Sequence, residues 1–526
     1  MTNSIAEIED AACIFIIGSN TTACHPLIAR RVFRAKEKGA KVIVADPRNI
    51  QLSRFADIAV SQRLGSDVAV LNGMMHIILK NNWQNQRYIE ERCEGFDAFK
   101  KTVEAYSPDK VEAISGIAAA DLEKMAELYA KNSPAALLYA MGITQHTTGV
   151  DNVKSCCNLA MLCGNVGVKS GGVNPLRGQN NVQGACDMGG LPNVFPAYQP
   201  VNVEANNAKF TKAWGKALPD KPGYTITDMT QAMLDGKLKA LYVVGENPML
   251  SDPDQHHIDK ALANLELLVC QDIFLTETAQ KADVVLAAVS VGEKDGTFTN
   301  TERRCMLIRK AIEPIGDSLP DWDIVSRLAT AMGYAMSYDG PEAIFKEITT
   351  VTPSYGGMSY ARLGLNGLQW PCPNAEHPGT QFLHGVQFTR GKGLFHAIEY
   401  LDPAEMPDEE YPFFLTTGRM FAHYHTGTMT RMSPHLDSEQ KTGYVEIHPE
   451  DARALAVKDG ETVKLTTRRG EIEVPARISQ KVKPGLLFVP FHFAENSANV
   501  LTNSAFDPIA KIPEYKVCAV KIEKAA

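Results

Sequence analysis

In Ile14-Phe15-Ile16-Ile17-Gly18-Ser19-Asn20 an apolar run of strand length stops at a glycine. The amphipathic stretch from Pro26 to Lys38 follows, and a second apolar run, Lys41-Val42-Ile43-Val44-Ala45, stops at Asp46-Pro47-Arg48. Strands without polar alternation, joined by a helix, predict a βαβ unit in a parallel sheet covered on both faces. Gly18 lets a ligand approach the backbone closely at the first strand's end. Ala56-Asp57-Ile58-Ala59-Val60 continues the pattern through Gly65-Ser66-Asp67 into a helical stretch, Val68 to Leu79, which Asp67 is placed to cap.

The same arrangement returns later in the chain. Leu241-Tyr242-Val243-Val244 stops at Gly245-Glu246-Asn247, Leu267-Leu268-Val269-Cys270 at Gln271-Asp272, and Ala282-Asp283-Val284-Val285-Leu286 follows. Glycine to aspartate spans 28 residues in the first copy (18 to 46) and 27 in the second (245 to 272). From there to the aspartate of the Ala-Asp pair is 11 in both, 46 to 57 and 272 to 283. Three strand ends at matching spacings predict two related α/β domains and, with them, two nucleotide sites. An acidic residue at the end of the second strand is where such folds contact a ribose or base. The alternative for Asp46 and Asp272 is capping of nearby backbone amides.

With 526 residues the chain holds about three or four domains at roughly 150 residues each. Its 44% apolar and 22% charged residues place it among globular proteins rather than disordered ones. The net charge of −8 and the lack of a basic run argue against nucleic acid. The apolar run Cys13 to Ile17 is too short to span a bilayer, and the acidic stretch before it does not suit a signal peptide. A cytoplasmic protein is therefore expected. The eleven cysteines show no C-x-x-C spacing and read mostly as buried thiols of a reduced compartment.

From Tyr411 the short strands Phe413–Thr417, Tyr444–Ile447, Thr462–Thr466, Glu471–Val474 and Leu486–Val489, with one short helix from Pro449 to Leu455, predict a β-barrel. Residues 318–410, rich in Pro and Gly, read as connecting structure. Domain limits of 1–175, 176–317, 318–410 and 411–526 follow.

The densest polar, glycine-punctuated stretch runs from Gly171 to Gly190 and suits a loop that closes around a polar ligand. Arg177 is its one fixed cation, fit to grip a carboxylate bidentately or to serve a structural ion pair. Thr416 to Thr428 brings Arg419, His423, Tyr424, His425 and Thr426 to a strand exit. His423 and His425 lack a third ligand nearby and read as hydrogen-bonding imidazoles, so no metal ligand is assigned. Phe491-His492-Phe493 through Asn499 to Tyr515-Lys516 offers aromatic surface for a flat heteroaromatic ligand, or a barrel core.

Arg177-Gly178-Gln179-Asn180-Asn181-Val182-Gln183-Gly184-Ala185-Cys186-Asp187-Met188-Gly189 and the ending Pro513-Glu514-Tyr515-Lys516-Val517-Cys518-Ala519-Val520 resemble the catalytic subunit of molybdenum- or tungsten-dependent formate dehydrogenases, in the bis-molybdopterin guanine dinucleotide oxidoreductase superfamily. The resemblance runs the whole length of the chain. It implies two Rossmann-like parallel-sheet domains, each holding one guanosine diphosphate tail, and a C-terminal double-psi β-barrel closing over both pterins. By position, Gly18, Asn20, Asp46, Arg48, Gly65 and Asp67 would face one guanine dinucleotide, and Gly245, Glu246, Asn247, Asp272 and Thr276 the other. Met141, Gly142, Gln145, Gly178 and Gln179 would lie by the pterins or phosphates. The barrel would contribute Arg419, His423, Tyr424, Thr426, Asn499, Tyr515 and Lys516, and Arg177 would orient formate.

Members of that family begin with a cysteine-ligated iron–sulfur domain and a Cys or selenocysteine ligand to the metal, neither of which is found here. Met1-Thr2-Asn3-Ser4-Ile5 resembles a segment just downstream of that ligand. The chain is thus expected to be the C-terminal portion of a longer enzyme, with export left open. Its expected partners are formate and carbon dioxide, the cluster-bearing N-terminal portion and electron-transfer subunits, without nucleic acid or a membrane span. The rival readings are a non-catalytic cofactor-binding fragment, a relative such as a nitrate reductase, and a nicotinamide enzyme. The absence of G-x-G-x-x-G after either strand counts against the last.

Overall fold

The structure is a computed structural model that describes residues 1–525. It divides into two compact units, Met1–Leu176 with Leu250–His256 and Phe382–Ala526 in one, Arg177–Met249 with His257–Gln381 in the other.

In the first unit, five parallel strands lie in the order Ile58–Val60, Lys41–Ala45, Cys13–Ile17, Ala135–Tyr139, Val173–Pro175. Every residue of Cys13–Ile17 is fully buried, as a central strand covered on both faces requires. Each such Ile or Phe contributes about 1.5–3 kcal/mol by leaving water. The helix Asp67–Lys80 is buried nearly all round, which its run Val68-Ala69-Val70-Leu71 and Met74-Met75 permits. Asp67 does not cap this helix. Ser66 holds the cap position, and the buried Asp67 carboxylate accepts from Gln62 Nε2 at 3.1 Å.

The same unit carries a closed barrel of six strands, ordered Phe413–Gly418, Leu486–Pro490, Val445–Ile447, Glu471–Ile478, Thr462–Thr466 and Cys518–Lys524. The last strand closes the ring by pairing antiparallel with both Phe413–Gly418 and Thr462–Thr466. It was not among the expected strands. Its buried Cys518, Val520 and Ile522 join Leu415, Val463 and Leu487 in the barrel core. A second short helix, Pro434–Glu439, accompanies Pro449–Ala454, so the expectation of a single one is corrected. Ser433-Pro434 is the start signal that marks it.

The second unit holds three parallel strands, Val284–Ala287, Leu267–Asp272 and Ala240–Val244, packed on a core that includes Met233, Ile258 and Leu262. Residues 318–410 are more than a connector: the helices Asp321–Ala331 and Pro341–Val351 fall within them, and the boundary between units passes between Gln381 and Phe382.

The two sheets share their fastenings residue for residue. Asp57 Oδ2 accepts from the Val42 amide at 2.8 Å, and Asp283 Oδ2 from the Leu268 amide at 2.7 Å. The backbone amides of Asp57 and Asp283 donate to the same two residues' carbonyls, each at 2.8 Å. Gly18 donates to Ala45 O at 3.0 Å and Gly245 to Gln271 O at 2.8 Å, both glycines with positive φ (57° and 62°). Each Ala-Asp pair therefore staples the start of the third strand to the second. Among the described residues no helix is long and apolar enough to cross a membrane, and all eleven cysteines are free thiols.

Candidate functional site

In the first unit, strand order reverses between Cys13–Ile17 and Ala135–Tyr139, the switch point where open parallel sheets bind ligands beyond their strands' carboxyl ends. Gly18 and Gly142 meet there. The Gly142 amide donates to Gly18 O at 3.1 Å, and a Cβ on Gly142 would lie 2.5 Å from that oxygen. Only glycine allows this approach. Asn20, half-buried, and Met141, 42% exposed, flank the pair, with half-buried Gln145 one turn further on. Gly65 has another reason to be glycine, since a Cβ there would fall 2.4 Å from Pro403 Cγ.

Asp46, at the end of the second strand, accepts from the Arg48 amide at 3.0 Å. The capping alternative is thus realised, and the carboxylate is also buried among cations. Burial pushes it up to about 6, while the Arg48 amide and the Arg48 and Lys516 charges pull it down. Asp67 is likewise raised to about 6 by burial. Lys516 is pushed down to about 8 by burial, against Cys24 and Asp46, and its Nζ donates to Thr417 O at 2.8 Å. Arg48 reaches the buried Glu446 at 2.6 Å and lies 3.4 Å over the Phe488 ring. Arg419 stands 5.4 Å from the Tyr424 ring, and the half-buried Cys24 lies in the fields of Arg419, Lys516, Asp46 and Arg48 together. The barrel and the sheet thus bring three cations to one place.

The remaining barrel residues are mainly braces. His423 is buried, with Nδ1 paired to Thr430 Oγ1 at 3.2 Å and Nε2 to Gln440 O at 2.7 Å. Thr426 pairs with Thr428 at 2.9 Å. Asn499 Nδ2 donates to Leu250 O at 2.7 Å and Ser251 O at 3.1 Å, and the Tyr515 hydroxyl donates to Ser251 O at 2.9 Å. These contacts hold residues 250–251 in the first unit.

Four residues at this site were given no individual role in the reading of the sequence. Glu446 partners Arg48. Glu514, buried, accepts from Thr147 N at 3.2 Å, Thr147 Oγ1 at 3.1 Å and Ala404 N at 3.2 Å, which anchors the segment leading to Lys516. His492 is lowered to about 3 by burial and accepts from the Met420 amide at 3.0 Å. His146 is lowered to about 4 by burial, and its Nε2 pairs with Gly142 O at 2.8 Å. Glu514, inside the closing motif, and His492, inside the aromatic stretch Phe491–Phe493, carried a signal, whereas Glu446 and His146 carried none.

The second unit presents its own strand ends. Gly245 has open space where a Cβ would be, and half-buried Glu246 follows it. Asn247 is buried, accepting from Thr278 N at 3.2 Å and Oγ1 at 2.7 Å and donating to Glu277 at 2.8 Å. Asp272 accepts from the Ile273 and Phe274 amides at 2.6 and 3.2 Å, and burial raises its pKa. Thr276 Oγ1 accepts from Ala279 N at 3.2 Å. In the same unit Arg177 is half-buried, its amide donating to Thr301 Oγ1 at 3.1 Å, and Gly178 and Gln179 beside it are half-buried.

An anionic dinucleotide with a heteroaromatic ring fits the first-unit cluster. Among the described residues, the buried Arg48 Nε, Arg419 Nε and His146 Nδ1 have no hydrogen-bond partner. The first two are donors of the kind that grip phosphate. Neutral His146, donating through Nε2, leaves Nδ1 as an acceptor for a ring N–H.

Comparison with known proteins agrees with this geometry. Residues 1–331 match the molybdopterin oxidoreductase family model, and residues 413–519 match the molydopterin dinucleotide binding domain. The chain is 54% identical over 528 residues to F420-dependent formate dehydrogenase 1 subunit alpha of Methanococcus maripaludis, covering 100% of this chain and 78% of that protein. It is 51% identical to F420-dependent formate dehydrogenase subunit alpha of Methanocaldococcus jannaschii, with the same coverage. With formate dehydrogenase H of Escherichia coli it shares 40% identity, covering 100% of this chain and 74% of that one. Acetylene hydratase from Pelobacter acetylenicus superposes with a TM-score of 0.76 at 20% identity, covering 99% of this chain and 81% of its own, a likeness of fold.

Proposed function

This chain belongs to the molybdopterin oxidoreductases, among the formate dehydrogenase alpha subunits, and on that premise we propose that it oxidises formate to carbon dioxide, releasing two electrons and a proton. The observation that carries this reading is the half-buried meeting of Arg48, Arg419 and Lys516 beside Cys24, the two guanidiniums each with a buried Nε that has no partner. When bound, a bis-molybdopterin guanine dinucleotide centre with molybdenum or tungsten supplies the two-electron acceptor.

The chain's residues do the rest. Arg48, Arg419 and Lys516 hold phosphates of one dinucleotide, with Gly18, Asn20, Asp46, Asp67 and Gly65 forming its frame. His146, Met141, Gly142 and Gln145 meet the ring system, with Tyr424, Thr426, Asn499, Tyr515 and the braced His423 on the barrel side. Gly245, Glu246, Asn247, Asp272 and Thr276 frame the second dinucleotide, and Gly178 and Gln179 flank the loop. Arg177 holds the formate carboxylate with its planar fork and fixes the direction of the C–H bond, so its contribution is positioning and charge stabilisation. The chain spans 78% and 74% of two of these relatives, and none of its residues is proposed as a thiolate or selenolate ligand or as a cluster ligand. The domain limits 1–175, 176–317 and 411–526 are the corresponding reading of the chain, with 318–410 divided between the two units. Electrons leave through partner subunits, and F420, named in two relatives, is the acceptor to assay first.

The test is the guanine and metal content of purified, metal-replete protein, with formate turnover of the wild type and of Arg177→Lys. Guanine after acid hydrolysis, together with a kcat/KM lowered about 100-fold in Arg177→Lys, is expected, because a point charge does not reproduce the fork. Folded, metal-replete protein without guanine would overturn the cofactor reading, and an unchanged kcat/KM would overturn the role of Arg177.

A further inference from the structure

Within the second unit, the stretch that carries Arg177 is tied down by one buried carboxylate. Asp187 ends the short helix Val182–Asp187 and is 1% exposed. Four donors converge on it. Oδ1 accepts from Gln183 Nε2 and from the Tyr198 hydroxyl, each at 2.8 Å; Oδ2 accepts from the Tyr355 hydroxyl and from Trp370 Nε1, each at 2.7 Å. An ionised carboxylate accepts about four hydrogen bonds and donates none, so the donors fill its capacity.

The same network reaches back to Arg177. Tyr355 OH pairs with Thr299 Oγ1 at 3.0 Å, the Thr299 amide donates to Asn181 Oδ1 at 2.9 Å, and the Arg177 amide donates to Thr301 Oγ1. Residues 177–187 are thereby pinned at both ends to one strand and the turn after it, Gly296–Thr299 and Thr301. Gly184 seals the contact: a Cβ there would lie 2.2 Å from Asn181 Oδ1 and 3.2 Å from the Thr299 amide. On the other side Tyr198 and its neighbour Ala197 hold positive φ (57° and 63°), a backbone that side chains rarely adopt. Tyr198 lies in the field of the Arg177 charge. Burial and Asp187 raise its phenol, while the Arg177 cation pulls it down.

We propose that Asp187 is a positioning residue for formate oxidation, fixing the place of the Arg177 guanidinium through Tyr198 and Gln183 on one oxygen and through Tyr355 and Trp370 on the other. This rests on the reading of Arg177 as the formate-orienting residue. Asp187 touches neither substrate nor cofactor; it acts through the loop.

Asp187→Asn keeps the shape and removes one acceptor oxygen. Trp370 Nε1–H only donates, so the remaining oxygen stays with Trp370 and Tyr355. The new NH2 then faces Gln183 and Tyr198, loosening the side next to Arg177. In the holoenzyme the expected result is a kcat/KM for formate lowered about 10- to 100-fold, carried mainly by kcat, with guanine and metal content unchanged. Amide exchange across 178–188 should quicken about tenfold, while that of Ala240–Val244 does not move. Tyr198→Phe, which deletes only a hydroxyl, should shift the kinetics in the same direction by about threefold to tenfold.

The double variant with Arg177→Lys decides the mechanism. A residue acting through the Arg177 fork costs less than about threefold once the fork is gone, whereas a merely structural role costs the same factor in both backgrounds. Equal factors, or unchanged kinetics and exchange in both Asp187→Asn and Tyr198→Phe, overturn the proposal alone. Unchanged kinetics in Arg177→Lys overturn the reading of Arg177, and this proposal with it.

Discussion

Glu446→Gln removes the charge facing Arg48 while keeping the side chain's shape. Glu446 lies in the barrel strand Val445–Ile447 with its side chain 1% exposed, and Arg48, 13% exposed, meets it at 2.6 Å. Removing one member of such a buried pair costs about 3–5 kcal/mol, because the other charge is left without a partner. The Glu446→Gln side chain keeps an amide oxygen that accepts from the guanidinium, which offsets about 1–2 kcal/mol. A net loss of about 2–3 kcal/mol is expected, confined to the strands that hold the pair. Amide exchange in 445–447 and 486–490 should quicken about 30- to 150-fold, at 1.4 kcal/mol per tenfold, with Cys13–Ile17 as internal reference. Saturating guanosine diphosphate should reverse part of this, since its phosphates replace the lost anion. Arg48→Met combined with Glu446→Gln should recover most of the stability. Exchange unchanged within about threefold would refute the reasoning, and acceleration untouched by the nucleotide would refute the place given to Arg48.

His492 sits near 3 in the folded chain against 6.5 for a free imidazole, so the unfolded chain binds the extra proton and stability is lost as pH falls from 6.5 toward 3. His492→Gln should remove about 1.4 kcal/mol of loss per pH unit in that window, and urea transitions at pH 7 and 5 with parallel shifts in both proteins would count against it. Lys516 is held near 8, and a bound diphosphate favours its charged form, so affinity for guanosine diphosphate should fall by up to about tenfold per pH unit above 8 and stay flat in Lys516→Gln. Calorimetry showing no change between pH 7 and 9 in the wild type would sink that. Asp57→Ala and Asp283→Ala should each cost about 1–3 kcal/mol in denaturant unfolding, because each carboxylate staples one backbone amide in the same position of its sheet; a cost near zero in either would deny the equivalence.

The parts of the fold legible in the sequence are those that local chemistry determines. Uninterrupted apolar runs marked the central strands, and Gly18 and Gly245 marked their ends because the chain turns there with positive φ. The spacing of the Ala-Asp pairs exposed the duplication, since a staple between neighbouring strands requires a constant offset. What stayed hidden depends on partners distant in sequence. Glu446 looks like an ordinary polar residue of a short strand until Arg48, 398 residues away, is seen against it. Asp187 looks like a loop residue until Tyr355 and Trp370 arrive, 168 and 183 residues later. The closing strand Cys518–Lys524 was masked by the binding motif that overlaps it.

The two sheets share a frame and differ in charge. In the first, Asp46 is buried beside Arg48 and Lys516, which pull its pKa down against the burial that raises it. In the second, Asp272 is raised by burial and again by Asp321, against only the Ile273 and Phe274 amides. The first strand ends therefore lie among guanidinium and ammonium groups, while at the second Gly245 stands open and the Gly245, Ile273 and Phe274 amides are already given to Gln271 O and Asp272. Both sheets keep a glycine of positive φ fastened to the second strand at the end of the first. The ions around that geometry come from side chains that differ between the two sheets. The likeness of the two sheets rests on these backbone fastenings, and under the proposed function their two charge environments would hold a dinucleotide differently.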